Sequence, residues 1–393
     1  MGNTETSLER DAILAEARLR ADGQGDFGDG PFLEPLQRLL DSLAREARLN
    51  ALGRLIASER VLGHTVNRLN YVADRKRFPG IAQEAIVAPV FIIGMPRTGT
   101  TILHDILAQD PDTRAPLTWE AMFPSPPPEA ATLHSDPRIA RCAATFPSVD
   151  LQIPAFKAMH PMGATLSQEC VTMMGEAMCT PLFHNQFRVP TYQDWVDHEA
   201  DWSHVYTFHR RQLQHLQWHN RRERWVLKTG AHLWGLEHLL ETYPDARIVF
   251  THRDPVKSMT SYASLTSLVR TMGSDQVDPH EIAADWTARL RRVLDHGVAV
   301  RSAKKYPRAV FYDMHFQDFV RNPFAEVEKI YAALSLPMSA PGAERMRAYI
   351  ADHPKGKDGI HRYAPADFGV NPGAVREAFG AYMQRFGLAP EAD

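Results

Sequence analysis

The chain has 393 residues, enough for one large domain or a core domain with an appendage, and its formal net charge of −3 argues against a general nucleic-acid binder. The longest apolar run, near residues 85–95, is too short to span a bilayer, and the charged first thirty residues contain no signal-peptide core. Three cysteines without metal-ligand spacing predict buried thiols in a reducing compartment, and hence a cytoplasmic protein with no membrane span.

Residues 1–80 have the pattern of a helical N-terminal extension. Thr6 and Glu9 have capping-box spacing ahead of a helix predicted at 12–19. Two apolar stripes at helical spacing follow, comprising Leu36, Leu39, Leu40 and Leu43 and then Leu52, Leu55, Ile56 and Leu62. We interpret the stripes as core packing. The alternative, that some of these residues line a substrate pocket or an oligomer interface, stays open.

From residue 86 onward, short buried strands alternate with helices. Strands are predicted at 86–93, 225–228, 247–251 and 309–312, and helices at 101–108, 233–240 and 282–300. An irregular, largely helical region lies between the first two strands, at about 119–222. This alternation predicts an α/β fold over residues 81–393: a three-layer sandwich with a mostly parallel central sheet, like that of P-loop nucleotide hydrolases.

The segment after the first predicted strand has the spacing of a phosphate-binding loop. Residues 94–101 read G-M-P-R-T-G-T-T, and Thr100 stands where the P-loop pattern requires lysine. Such a loop offers backbone N–H groups and a helix N-terminus to an anion. The missing lysine argues against a standard ATP or GTP site, whereas Arg97 supplies a positive charge from the other side of the loop.

Two further predicted strands end in residues suited to an anionic ligand. One ends at Lys228. The other runs into Arg253, and Ser261 lies about two turns into the helix expected to start at Pro255. Ligands of parallel sheets bind beyond the carboxyl ends of the strands, where an arginine and a hydroxyl can hold a second phosphate. The two anion sites together describe a doubly phosphorylated nucleotide.

These two motifs, in this order, resemble those of the sulfotransferases that use 3′-phosphoadenosine 5′-phosphosulfate (PAPS). The resemblance covers roughly residues 86–387 and is closest to the bacterial small-molecule group. It implies a PAPS donor and the product 3′-phosphoadenosine 5′-phosphate (PAP). It assigns the 5′-phosphosulfate to a loop comprising Arg97, Thr98, Gly99, Thr100 and Thr101. The 3′-phosphate is assigned to Arg253 and Ser261.

The resemblance also implies in-line transfer to a hydroxyl without a metal, because a sulfuryl group carries less charge than a phosphoryl group. Lys228 resembles the lysine that acts on the bridging oxygen in tyrosylprotein sulfotransferases. Glu120 resembles their catalytic base, although about two extra residues precede it here. His160 and Glu169 are the competing candidates for the base. The Lys-Thr-His segment of the animal cytosolic enzymes is absent from this sequence.

A glycine- and cation-rich segment near the C-terminus, K-G-K-D-G-I-H-R-Y at 355–363, resembles the C-terminal donor-binding segment of sulfotransferases. Lys357, Arg362 and Tyr363 are candidate contacts for the 3′-phosphate or adenine. The alternative is a solvated basic loop.

Two other functions compete with sulfuryl transfer. A nucleotide-dependent kinase is suggested by Asp313, which follows a predicted strand as a magnesium-binding aspartate would. A non-catalytic nucleotide-binding module is the other, but the charged strand ends argue against it.

The acceptor is predicted only by class. Aromatic and methionine side chains in residues 119–220 favour a small lipid, sterol, polyketide or phenolic hydroxyl over a polar glycan. The sequence leaves open the identity of the acceptor, the role of the N-terminal helices and the oligomeric state, a homo-oligomer included.

Overall fold

A five-stranded parallel sheet forms the centre of the computed structural model, which describes residues 7–159, 161–354 and 363–391. The strands are β1 (Val90–Gly94), β2 (Thr113–Arg114), β3 (Arg224–Lys228), β4 (Arg247–His252) and β5 (Val310–His315). Their order across the sheet is β2-β3-β1-β4-β5, and every neighbouring pair is parallel. The predicted parallel α/β architecture is confirmed. The sheet order places the ends of β3 and β4 on either side of the loop that follows β1.

Twenty α-helices lie within the described residues. They are α1 (Arg10–Arg20), α2 (Leu33–Glu46), α3 (Ala51–Arg77), α4 (Thr100–Leu107), α5 (Thr118–Met122), α6 (Pro137–Ala143), α7 (Phe146–Gln152), α8 (Phe156–Met159), α9 (Cys170–Met173), α10 (Leu182–Gln186), α11 (Pro190–His198), α12 (Trp202–Gln217), α13 (Leu236–Thr242), α14 (Pro255–Arg270), α15 (Pro279–Ser302), α16 (Phe316–Arg321), α17 (Pro323–Ala333), α18 (Ala340–Asp352), α19 (Pro372–Ala378) and α20 (Gly380–Phe386). None of these helices is both long and apolar enough to cross a lipid bilayer.

The sheet separates two hydrophobic cores, which makes the fold three-layered. Alternate side chains of β1 point to opposite faces, so Phe91 and Ile93 join one core and Val90 and Ile92 the other. The first core contains α12 to α15 and the N-terminal helices, whereas α4 and α17 pack in the second. Because both faces are covered, β1 and β3 are buried along their whole length.

The first predicted leucine stripe is confirmed as core. All four of its residues, which lie on α2, are at most 2% exposed and share a core with the sheet. The second stripe is wrong in part, because Leu52 and Leu55 are 44% and 38% exposed. Near its start, helix α3 is instead buried at small residues such as Gly53, where an added Cβ would lie 1.9 Å from the Gly273 carbonyl oxygen. The boundary proposed near residue 80 stays a prediction.

Local boundaries differ from the predictions in four places. Helix α1 begins at Arg10 with Glu9 at its N-cap, so Glu9 cannot be the third residue of a capping box; Thr6 lies outside the described residues. The strand predicted from residue 86 begins only at Val90. The helix predicted at 233–240 is split into a 3₁₀ turn (Gly230–Gly235) and α13. Strand β2 escaped prediction because two residues carry no periodic pattern. The three cysteines are free and buried, as predicted.

Candidate active site

The loop between β1 and α4 adopts a tight, largely buried conformation. Gly94 has φ 143°, and an added Cβ there would lie 2.3 Å from the Thr251 hydroxyl oxygen. Gly99 has φ 84° and forms the N-cap of α4. Thr98 is fully buried, and its hydroxyl donates to the Met95 carbonyl at 2.7 Å, which holds the loop closed on itself. The first amides of α4 have no partner within the helix and are therefore available to an anion.

Lys228 extends from the end of β3 to the start of α4. Its side chain is 2% exposed, and its ammonium donates to the Thr101 hydroxyl at 3.1 Å and to Glu169 Oε1 at 2.5 Å. Burial, followed by the nearby charge of Lys228, lowers the pKa of His104 on α4 to about 3. The site therefore contains a buried cation directly beside the loop helix.

Arg97 connects the loop to the second predicted anion site. Its Nε donates to the Ser261 hydroxyl at 3.1 Å, and its own carbonyl accepts from Arg253 Nη1 at 2.8 Å. Ser261 lies on α14, which begins at Pro255 as predicted. Burial lowers the pKa of Arg97, and the neighbouring Tyr363 phenol opposes this effect. The structure thus brings Arg97, Ser261 and Arg253 together, with Tyr363 close by.

Arg253 has a carboxylate partner that the sequence analysis did not anticipate. Its Nε and Nη2 donate to the two carboxylate oxygens of Glu391, at 2.9 and 3.0 Å. Its guanidinium also stacks on the Phe316 ring, 3.9 Å from the centroid. The Glu391 carboxylate of the protein itself therefore occupies the position where the second phosphate is predicted to bind.

Glu120 lies away from this group of residues. Its carboxylate is fully buried and accepts from Arg114 at 2.8 and 3.1 Å and from the Leu117 amide at 2.9 Å. The segment that starts at Leu117 pairs with Ser167, and the Gln168 amide donates to the Pro116 carbonyl at 2.7 Å. Glu120 therefore braces the chain that leads to Glu169, whereas Glu169 contacts Lys228 directly.

Three predicted site residues, His160, Lys357 and Arg362, lie outside the described residues. The remaining ones, apart from Glu120, surround the carboxyl ends of three adjacent strands. Glu120 as the base stays a prediction, as do the other assigned roles. Nothing local in the sequence marks Glu169 as a neighbour of Lys228.

The aspartate that suggested a kinase is engaged elsewhere. Asp313 lies on β5, which is separated from β1 by β4. Its carboxylate pairs with His252 at 2.9 Å and with Arg301 at 2.8 Å. Burial raises the pKa of Asp313, but the hydrogen bonds from His252 and Arg301 outweigh burial and hold this pKa below its usual range. In residues 7–159, 161–354 and 363–391, no group of three or more His, Cys, Asp or Glu side chains is arranged to hold a metal ion.

A cavity of about 230 Å³ lies between the N-terminal region and α12. Its lining includes Arg68, Trp195 and Phe208 but no residue of the strand-end group described above. This cavity is therefore separate from the side chains gathered at the strand ends.

The chain is similar to known sulfotransferases in sequence and in fold. A model of the sulfotransferase family matches residues 89–340. Over 322 residues, 77% of this chain and 76% of the relative, the chain is 26% identical to omega-hydroxy-beta-dihydromenaquinone-9 sulfotransferase Stf3 of Mycobacterium tuberculosis. The crystal structure of sulfotransferase STF1 from Mycobacterium tuberculosis matches with TM-score 0.83 and 31% identity, over 94% of this chain and 98% of that one. Sulfotransferase STF9 from Mycobacterium avium matches with TM-score 0.85 and 25% identity, over 98% of each chain.

Proposed function

Because the chain belongs to the sulfotransferase family, we propose that it transfers a sulfuryl group from PAPS to the hydroxyl of a small apolar or phenolic acceptor. One observation carries the choice of donor. Two cationic sites, the loop with Lys228 and the pair Arg253 and Ser261, are joined through Arg97 at the ends of adjacent strands. PAPS carries a phosphosulfate and a separate 3′-phosphate, so each of its anionic groups has a site.

The described residues fit such a nucleotide. The loop backbone packs closely against neighbouring residues at its two glycines. A side chain at Gly94 would collide with Thr251, and one at Gly99 would crowd Phe316. The α4 N-terminus, Thr100 and Thr101 supply neutral donors for a 5′-phosphate. Arg253 already binds a carboxylate through two parallel N–H groups, and this geometry also suits a phosphate.

The proposed reaction is an in-line displacement at sulfur. The acceptor oxygen forms a bond to sulfur, the bond from sulfur to the bridging oxygen breaks, and PAP leaves. Lys228 donates an N–H to the bridging oxygen as negative charge develops there, which lowers the barrier. Glu169 accepts the proton of the acceptor hydroxyl, since its carboxylate lies 2.5 Å from the Lys228 ammonium and therefore beside the reacting atoms.

Two of the ammonium's three N–H groups are occupied by Thr101 and Glu169 among the described residues. The third is therefore available for the donor. Glu169 is also better placed than Glu120, because the three hydrogen bonds described above for the Glu120 carboxylate join it to Arg114 and Leu117 rather than to the loop. We therefore propose Glu169 as the base and Glu120 as a positioning residue that supports the chain leading to it.

The class of acceptor follows from the relatives and from the surroundings of the site. Stf3 is named for a hydroxylated dihydromenaquinone, which has the apolar, lipid-like character predicted from residues 119–220. Met159 lies against the site, since its carbonyl accepts from Arg97 at 3.0 Å, and it is only 5% exposed. An apolar alcohol or phenol is therefore the proposed acceptor.

PAP should raise the melting temperature of the protein in the presence of EDTA, because the 3′- and 5′-phosphates bind to protein cations rather than through a metal. ATP with Mg²⁺ should have a smaller effect, since the loop lacks the lysine that grips a triphosphate. Differential scanning fluorimetry measures both. Stabilisation by ATP with Mg²⁺ and none by PAP would refute the proposed donor.

Replacing Arg253 with alanine should weaken PAP binding by about 10- to 100-fold, because two charge-assisted hydrogen bonds to the 3′-phosphate are lost. Adenosine 5′-monophosphate lacks that phosphate, so its affinity should stay within about twofold of the wild-type value. Isothermal titration calorimetry of both ligands tests the assignment. Arg321→Ala, a change at an exposed arginine on α16, is the control. Equal losses for the two ligands would place the 3′-phosphate elsewhere.

A further inference from the structure

Residues 388–391, which we call the C-terminal tail, lead the chain to the arginine assigned to the 3′-phosphate. Helix α20 stops at Gly387, whose φ of 61° turns the chain back toward β4. Four residues later, the Glu391 carboxylate is 11% exposed and accepts hydrogen bonds from two nitrogens of Arg253. A segment of this chain therefore places an anion where the donor's own anion is proposed to bind.

The geometry around Arg253 makes the two anions mutually exclusive. Nη1 of Arg253 is engaged by the Arg97 carbonyl, and the face of the guanidinium rests on Phe316. The remaining edge, formed by Nε and Nη2, is the one that Glu391 occupies through both carboxylate oxygens. A phosphate bound in the same bidentate manner needs that edge, so Glu391 must leave before the 3′-phosphate can take its place.

Backbone hydrogen bonds hold the tail at each of its ends. The Glu391 amide donates to Asp254 Oδ2 at 2.9 Å, and the same oxygen accepts from Arg376 at 3.0 Å. The Leu388 amide donates to the Met383 carbonyl at 2.9 Å. Asp254 also caps α14 and would still pair with Arg376 after the tail had left. The tail can therefore detach from Arg253 without loss of the fold.

We propose that the C-terminal tail is a gate: Glu391 closes the 3′-phosphate site in the free enzyme, and the nucleotide displaces it. This inference rests on the proposed PAPS donor. A closed gate lowers the apparent affinity for PAPS and PAP alike, because only molecules with the tail displaced can bind the 3′-phosphate. The gate thereby limits retention of the product PAP.

The test compares nucleotide binding by the wild-type chain of 393 residues with binding by Glu391→Gln. The variant should bind PAP roughly three- to tenfold more tightly, since the site is open in a larger fraction of molecules. Adenosine 5′-monophosphate has no 3′-phosphate, so the substitution should leave its affinity unchanged. Glu377→Gln, which removes an exposed carboxylate from α19, is the matched control and should behave as the wild type with both ligands. Calorimetry in EDTA supplies the affinities.

A double variant and hydrogen exchange provide independent readouts. In the Arg253→Ala background, Glu391→Gln should no longer change PAP affinity, because the gate has lost its contact. In the wild type, PAP should accelerate exchange at the Glu391 amide, which the closed tail protects through Asp254.

The outcomes separate this proposal from the proposed function. If wild-type protein binds PAP and Glu391→Gln binds it equally or more weakly, the gate is refuted and the donor assignment stands. Weaker binding would identify Glu391 as a brace that orients Arg253. If neither protein binds PAP, the donor assignment is refuted and the gate with it.

Discussion

Glu169→Gln should lower kcat by about 10²- to 10⁴-fold while the Kd for PAP stays within about threefold of wild type. The amide keeps the size of the side chain and can still accept from Lys228, but it cannot take the acceptor's proton. The measurement is transfer of ³⁵S from labelled PAPS to the best acceptor from a panel of phenols, sterols and hydroxylated quinones, together with PAP calorimetry.

The pH profile separates catalysis from mere support of Lys228. A wild-type enzyme that uses Glu169 as base loses kcat/KM as pH falls and the carboxylate becomes protonated, and the variant should lack this acidic limb. Thr165→Ala, a change at an exposed residue four positions earlier, is the control and should retain the limb. A Glu169→Gln enzyme with wild-type kcat would exclude Glu169 and return the assignment to Glu120 or His160.

Glu120→Ala should destabilise the protein by about 3–5 kcal/mol, because the substitution leaves the buried Arg114 guanidinium without its carboxylate. Arg114 and Glu120 are 4% and 0% exposed in their side chains, so water cannot replace the lost partner. The free energy of unfolding from a urea titration measures the effect. Activity should fall mainly in proportion to the folded fraction.

Glu34→Ala is the matched control for this substitution. Glu34 also pairs with an arginine, Arg38, at 2.9 Å, but its side chain is 63% exposed. Its loss should therefore cost no more than about 1 kcal/mol. A Glu120→Ala protein with wild-type stability and a greatly reduced kcat would contradict the positioning role, and would instead support Glu120 as the catalytic base.

Much of the proposed donor site could be located in the sequence because its parts are local motifs. The loop at 94–101 follows a strand and opens a helix, and each property depends on residues within the same short segment. Arg253 follows strand β4 and Ser261 lies on helix α14. Their spacing could be interpreted from the sequence because Pro255 marks the start of α14. The sequence did not show that both contact Arg97, since these contacts join positions more than 150 residues apart.

The base and the tail could not be predicted in the same way. Glu169 and Lys228 are separated by 59 residues, and their contact depends on how the chain crosses from α5 to α9. Glu120 was favoured because a nearby motif resembled that of another enzyme group. A carboxylate at that position is buried against Arg114, six residues away, and a sequence pattern does not distinguish a buried brace from an exposed base.

The sequence by itself determined the class of fold and marked the loop that we propose binds the donor. Alternation of strands and helices, positive φ at glycines and helix starts are decided by neighbouring residues, so they can be inferred from a short stretch of chain. Only the tertiary structure decided which side chains meet at the strand ends: Lys228 with Glu169, Arg97 with Ser261, and Arg253 with Glu391. Strand order and packing across two cores set these contacts, and neither is encoded in any one segment.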